Sequence, residues 1–137
     1  MKVKKITASN FQGFGKIIDY SLSRNQAKKN LFCIVLSENR PVGWRVAYLV
    51  LRDKKIDTME AHPDTYETFE PVKGKSLIYL ATSKNKSRIE CFLLDRPVIL
   101  KKGIWHAVVT LGKESEIKIT ENASVKLVYW KLDNFLK

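Results

Sequence analysis

The sequence predicts an all-β protein, a sandwich or barrel of about eleven short strands. Apolar runs of strand length alternate along the chain with turn clusters rich in Gly, Pro, Asn and Asp. No long stretch repeats its apolar residues with the helical period. No linker or low-complexity segment breaks the alternation, so residues 1–137 are predicted to form a single domain.

One short helix is expected before the strands. Ser9 and Gln12 fit a capping box, and Gly13 and Gly15 end the helix almost at once. Each later apolar run is bounded by residues that favour turns. The predicted strands are residues 16–20, 31–37, 44–52, 56–62, 66–70, 76–82, 88–94, 98–100, 104–111, 116–120 and 125–132.

Two predicted strands, 44–52 and 104–111, carry apolar side chains on both faces, and this pattern suggests that the protein forms an oligomer. One face is expected to line the barrel, and the other then needs cover. Trp105, Val109 and Trp130 are the outer-face residues for which a second copy would supply that cover. The sequence therefore predicts a homodimer formed through strand edges and this aromatic face.

The chain is basic, with 25 Lys and Arg against 14 Asp and Glu, a formal charge of +11. Such a charge favours anionic partners, either nucleic acid or small anions. The lysines occur in pairs at predicted turns, and no recognition helix or aromatic–basic strand stands out. A solvated basic surface and a small anionic metabolite are expected, and a nucleic-acid partner is not.

The two cysteines point to a reducing compartment. Cys33 and Cys91 lie inside apolar runs, LFCIVL and IECFLL, without C-x-x-C spacing, although the sequence leaves a disulfide open. No apolar run has the length of a signal peptide or of the ~18 residues that a membrane span requires. A cytoplasmic location without membrane association is therefore expected.

Glu60, His62, Glu67 and His106 are the candidate site residues. If residues 56–62 form a strand, the period of two puts Glu60 and His62 on one face. Pro63 ends that strand, so Glu67 returns on the next one and can point the same way. His62 and His106 are the only histidines in the sequence.

Two imidazoles and two carboxylates form a donor set suited to a divalent transition metal such as Mn, Fe, Ni or Zn. A metal there would act as a Lewis acid on a carbonyl or hydroxyl group. Taken one at a time, each residue has a plainer interpretation: a strand-end or core histidine, or a solvated glutamate. The four together favour a shared site, with or without metal.

The spacing E-x-H-x4-E-x6-G from Glu60 to Gly74, followed by Pro97 and a Gly-x-x-His ending at His106, resembles the two motifs of the cupin superfamily. That resemblance implies a double-stranded β-helix, the jelly-roll barrel. Within the superfamily, E-x-H-P with a distant G-x-W-H looks like the ureidoglycolate lyase family, also called ureidoglycolate hydrolases. The matching residues are Glu60, His62, Pro63, Phe69, Pro71, Gly103, Trp105 and His106.

The resemblance implies an enzyme of allantoin degradation, a branch of purine metabolism, that cleaves ureidoglycolate to glyoxylate and urea. Glu60, His62, Glu67 and His106 would then be the catalytic residues and metal ligands. The resemblance also implies substrate binding by Arg52, Arg45 and Trp105, since a guanidinium matches a carboxylate in a bidentate fork.

One position departs from the general cupin motif and two from the lyase family pattern. Glu60 stands where the first cupin histidine is expected, Glu67 stands where the family usually has glutamine, and Ile99-Leu100 replaces an Asn-Tyr pair. These differences fall near the expected substrate pocket. They leave a second interpretation open, a cupin that binds a small anionic metabolite without turning it over.

Overall fold

The computed structural model describes residues 1–24, 28–82, 84–85 and 88–136, which contain eleven strands and one short helix. The helix is α1 (Ala8–Phe11). The strands are β1 (Val3–Lys5), β2 (Gly15–Ile17), β3 (Arg45–Leu51), β4 (Ile56–Ala61), β5 (Glu67–Lys73), β6 (Ser76–Ala81), β7 (Glu90–Leu94), β8 (Val98–Leu100), β9 (Trp105–Thr110), β10 (Ser115–Glu121) and β11 (Val128–Leu136).

The strands form two sheets packed face to face. The six-stranded sheet has the order β1-β7-β6-β9-β4-β11, and the five-stranded sheet has the order β2-β8-β5-β10-β3. The pairings are antiparallel except that of β1 with β7, which is parallel. The predicted all-β class with a short N-terminal helix is confirmed.

The main apolar core lies between the sheets. It joins Ile78 and Phe92 of the larger sheet to Phe69, Leu100 and Ile117 of the smaller one. The side chains alternate along each strand, so every second residue of β4, β5, β9 and β10 faces this interior. Any polar residue at one of these inward positions is placed inside the sandwich by its neighbours.

A second apolar cluster covers the outer face of the six-stranded sheet. Trp105 and Val109 are buried there, at 6% and 1% exposure, and Trp130 and Leu132 of β11 pack against the cluster. The expectation that a second copy covers Trp105 and Val109 is therefore wrong, because the chain covers them itself. Strand β11 ends its sheet.

Three local predictions need correction. Residues 31–37 form no strand, and Phe32 and Ile34 are exposed, because apolar composition does not by itself supply the backbone hydrogen bonds of a strand pairing. The helix cap is Thr7 with Asn10, not Ser9 with Gln12. Strand β1 was not predicted, since its pairing with the distant β7 leaves no local signal.

Both cysteines, Cys33 and Cys91, are free thiols.

Within the described ranges, no helix combines the length and the apolar character needed to cross a bilayer.

Candidate functional site

Neighbouring strands of the six-stranded sheet bring Glu60 and both histidines together. Glu60 on β4 lies directly opposite His106 on β9. His62 follows the end of β4, and its carbonyl accepts a 2.9 Å hydrogen bond from the Gly103 N–H. Gly103 has a positive φ of 81°, which glycine adopts without strain. The turn before β9 is thereby tied to the end of β4.

Glu67 reaches the same place from the opposite sheet. Its Oε1 atom lies 3.2 Å from His62 Nε2 and 3.1 Å from His106 Nε2. The two imidazole rings are 4.9 Å apart between centroids. The structure thus brings the four predicted residues together inside the sandwich, while their catalytic and metal-binding roles stay predictions.

A cavity of about 310 Å³ opens beside these residues. Its lining includes Thr58, Glu60, Glu67, Phe69 and His106. A larger cavity of about 390 Å³ lies against α1, away from the four residues. The smaller cavity is the candidate binding space, because both ionisable and apolar side chains line it.

The environment of the site favours a charged carboxylate beside charged imidazole. Burial raises the pKa of Glu67, but its contacts with His106 and His62 outweigh burial and hold that pKa well below its usual range. Burial by itself lowers the pKa of His62, yet the neighbouring Glu67 carboxylate outweighs this and the net pKa is raised. Glu67 and His62 therefore stabilise the ionised forms of each other.

The tautomer of His106 follows from one hydrogen bond. His106 Nδ1 lies 3.1 Å from the Ile104 carbonyl oxygen. A carbonyl oxygen can only accept, so Nδ1 is assigned the proton and the Nε2 position faces Glu67. Metal-binding histidines are held in this way, with one nitrogen donating to the protein and the other free for the ion.

The donor set fits a divalent metal. Glu67 Oε1 is buried and lacks a hydrogen bond of acceptable geometry among the described residues, although two ring nitrogens lie 3.1 and 3.2 Å away. Neighbouring ligands of an octahedral ion with bonds near 2.1 Å are about 3.0 Å apart, which is close to these separations. Glu60, His62 and His106 also place one ligand atom each within 4.8 Å of one another.

One site residue, Glu121, was not predicted. Its side chain is buried at 8% exposure, and its carboxylate lies within 4.8 Å of the ligand atoms of His62 and Glu67. The predicted strand, residues 116–120, ended one position short of Glu121. The alternation of β10, which buries Ser115 and Ile117, was the available signal, since it predicts an inward side chain at position 121.

The three predicted substrate-binding residues separate in the structure. Arg45 lies beside the site, where its Nε and Nη2 atoms donate to Glu121 Oε2 at 2.9 and 2.7 Å. Arg52 does not lie beside the site, because its side chain is 75% exposed and pairs with Glu114. Trp105 precedes His106 on β9 and therefore faces the outer apolar cluster, not the cavity.

Comparisons with known proteins agree with the geometry at the level of the fold. No protein-family model matches the chain. Two structures of Bacillus subtilis oxalate decarboxylase, one studied for its Mn(II) centres and one determined at pH 4.6, superpose with a TM-score of 0.50 at 15% identity. The match covers 66% of this chain and 24% of those chains. The fold is a cupin β-sandwich.

A second similarity comes from sequence. A ureidoglycolate lyase of Rhizobium leguminosarum bv. trifolii (strain WSM2304) is 22% identical over 88% of this chain and 83% of its own length. The solved structures show the fold, and the sequence relative is what this chain resembles. In this cupin sandwich the four predicted residues occupy the interior between the sheets.

Proposed function

We propose that this protein is a metal-dependent cupin enzyme that acts on a small hydroxy or oxo acid, with ureidoglycolate as the first candidate substrate. The observation that carries the proposal is the meeting of His62, His106, Glu60 and Glu67 between the sheets, where Glu60, Glu67 and His106 line one cavity. Four ionisable groups inside an apolar sandwich are costly unless they are paired, protonated or bound to metal. The similarity to a ureidoglycolate lyase supports the choice of substrate.

His62 and His106, together with Glu60 and Glu67, would hold the metal. Mn, Fe, Ni or Zn suits this mixture of imidazole and carboxylate donors. When bound, the ion would supply Lewis-acid polarisation of the substrate's hydroxyl or carbonyl oxygen. Phe69 packs edge-on to His106, with ring centroids 5.3 Å apart, and so keeps that imidazole oriented.

Cleavage of ureidoglycolate to glyoxylate and urea needs two proton movements. A base takes the proton of the carbinol hydroxyl as the carbon–nitrogen bond breaks, and an acid delivers a proton to the departing urea nitrogen. Glu60 is the better base, because it is half-buried and lines the cavity, whereas Glu67 is fixed between two histidines. Glu60, protonated in the first step, would then deliver that proton to the urea nitrogen.

Arg45 is the proposed contact for the substrate carboxylate. Its Nε and Nη2 atoms bind one oxygen of Glu121, and half of its side chain stays exposed. A guanidinium has five N–H donors, so donors are left for a carboxylate at the rim of the site.

The proposal puts the activity in the cytoplasm, which suits the two free cysteines.

The test is an assay of glyoxylate release from ureidoglycolate by purified protein, with Mn²⁺, Ni²⁺, Fe²⁺ or Zn²⁺ added in turn. We expect release above the uncatalysed rate with at least one metal, and loss of that activity in Glu60→Gln. The matched control is Asp57→Asn, on the same strand but paired with Lys131 away from the cavity. No release with any metal would remove the lyase proposal.

The alternative is a cupin that binds a small anionic metabolite without turning it over. The departures from the lyase pattern at Glu67 and Ile99-Leu100 favour it. Saturable binding of ureidoglycolate or glyoxylate by calorimetry, without product formation, is the result expected for this alternative.

A further inference from the structure

A row of three charged residues crosses the five-stranded sheet at the level of the site. Arg45 on β3 lies directly opposite Glu121 on β10, and Glu121 lies directly opposite Glu67 on β5. Residues paired in this way share one face of a sheet. The row therefore runs from the half-exposed Arg45 inward to Glu67, which is 6% exposed.

The contacts along the row are continuous. Two N–H groups of Arg45 bind Glu121 Oε2, at 2.9 and 2.7 Å. Glu121 and Glu67 in turn place carboxylate oxygens within 4.8 Å of each other. Glu67 Oε1 then lies 3.2 and 3.1 Å from the Nε2 atoms of His62 and His106.

Two buried carboxylates directly opposite each other repel, so something must offset the pair of Glu67 and Glu121. A proton held between them does so, and Arg45 offsets the charge on the outer side. A cation bound directly to Glu121 is the other solution, since His62, Glu67 and Glu121 place ligand atoms within 4.8 Å of one another. Arg45 disfavours a cation at this position, because its positively charged guanidinium already binds one oxygen of Glu121.

We propose that Glu121 is a positioning residue, which holds the Glu67 carboxylate between the two histidines and is itself anchored by Arg45. The geometry of the row carries this inference, which builds on the site of the proposed function. Glu121 acts through Glu67 and is not required to touch substrate or metal. A glutamine at position 121 keeps a hydrogen-bond donor toward Glu67, whereas an alanine removes it.

The first experiment uses metal-free protein. Imidazole nitrogen shifts of His62 and His106 are recorded by NMR in wild type, Glu121→Ala, Glu121→Gln and Glu67→Gln. We expect Glu121→Ala to move both sets of signals toward those of Glu67→Gln, and Glu121→Gln to leave them close to wild type. The control, Glu116→Ala, changes a residue of the same strand that binds Tyr48 on the outer face, and no shift is expected.

Arg45→Met provides a second variant should Glu121→Ala fold poorly, and a smaller shift in the same direction is expected. Unchanged histidine signals in Glu121→Ala, or equal shifts in Glu116→Ala, would overturn the proposal. Equal effects of Glu121→Ala and Glu121→Gln would also overturn it, since they would show that the charge of Glu121 matters and not its hydrogen bond.

The second experiment measures Mn²⁺ affinity by calorimetry. We expect Glu121→Ala to weaken binding by about 10- to 100-fold, as for residues that support a metal ligand, and Glu121→Gln to stay near wild type. Equal, complete loss in both variants would instead identify Glu121 as a ligand and overturn the positioning role. If wild type binds no metal, the proposed metal dependence fails, whereas the metal-free NMR comparison still decides the role of Glu121.

Discussion

The two ring nitrogens of His106 have different partners, and this division makes the residue suitable as a metal ligand. Nδ1 contacts the Ile104 carbonyl and Nε2 faces Glu67. The side chain is buried at 6% exposure, so neither contact can be exchanged for bulk water at low cost. Substitutions at this position can therefore separate the role of one nitrogen from that of the other.

His106→Asn is predicted to abolish tight metal binding while the fold persists. The Asn amide can replace Nδ1 as a donor to Ile104, but it cannot reach the position of Nε2. Affinity for Mn²⁺ or Zn²⁺ should fall by more than about 100-fold, beyond the 10- to 100-fold cost of losing a residue that supports a ligand. Calorimetry measures it, with Thr58→Ala in the same cavity as the control. Wild-type affinity in His106→Asn would exclude His106 as a ligand.

The pH dependence of stability in metal-free protein should reflect the pair of Glu67 and His62. The pKa of Glu67 is lowered on folding, so its contribution is complete above its ordinary value of 4.5 and is lost as the pH falls below that. The pKa of His62 is raised, so its contribution is complete below 6.5 and is lost as the pH rises through the folded value. The pair therefore stabilises most between these two values.

Urea unfolding in EDTA across pH 3 to 9 measures this dependence. Glu67→Gln should flatten both slopes, because it removes the charge that each histidine meets. Glu70→Gln, on the same strand but paired with Lys118, should follow wild type. Parallel curves for wild type and Glu67→Gln would rule out the stabilising pair.

At the scale of elements, the turns set the register that aligns the inward polar residues. Gly74 joins β5 to β6 with a positive φ of 74°, and a Cβ atom there would lie 2.8 Å from the Glu114 carbonyl oxygen. The turn therefore packs closely against the start of β10, the strand that carries Glu121. A side chain at position 74 would disturb both the turn and this contact.

Gly74→Ala is predicted to destabilise the fold by about 1–3 kcal/mol, the usual cost of strained backbone. Chemical unfolding measures the change. Gly112→Ala is the matched control, since a Cβ atom at Gly112 meets nothing within 4 Å. Equal stabilities of the two variants would contradict the predicted strain.

At the scale of the whole molecule, one exposed apolar surface lies at the edge of the five-stranded sheet. Strand β3 ends that sheet, and its outward residues Val46, Tyr48 and Val50 are 53%, 54% and 43% exposed. An unpaired edge with apolar outward side chains favours pairing with another strand. A homodimer remains our proposal, now placed at this edge and no longer at Trp105 and Val109.

Sedimentation velocity at micromolar concentration should show a dimer that Tyr48→Lys converts to monomer. Val72→Lys, on the same sheet but on the interior strand β5, should leave the dimer intact. Because each chain carries a formal charge of +11, added salt should strengthen association by screening repulsion. A wild-type protein that is monomeric at every salt concentration would contradict the proposal.

Local patterns were sufficient for the strand class and for the four central site residues. Strand period alone put Glu60 and His62 on one face, because side chains alternate whatever the strand pairs with. Most strand positions followed from short apolar runs between turn residues, and the short helix was expected even though its cap is Thr7. These features depend on neighbours in sequence, which a single chain displays directly.

The remaining features depend on which distant strands pair. Glu121 joins the site because β10 lies between β3 and β5, opposite Arg45 and Glu67. Trp105 lies outside the site because adjacent residues on β9 point to opposite faces of the sheet. The face that carries Trp105 is covered by the chain's own β11. Residues 31–37 stay outside the sheets although their composition suits a strand. Backbone hydrogen bonds between strands far apart in sequence decide each case, and only the folded chain supplies those partners.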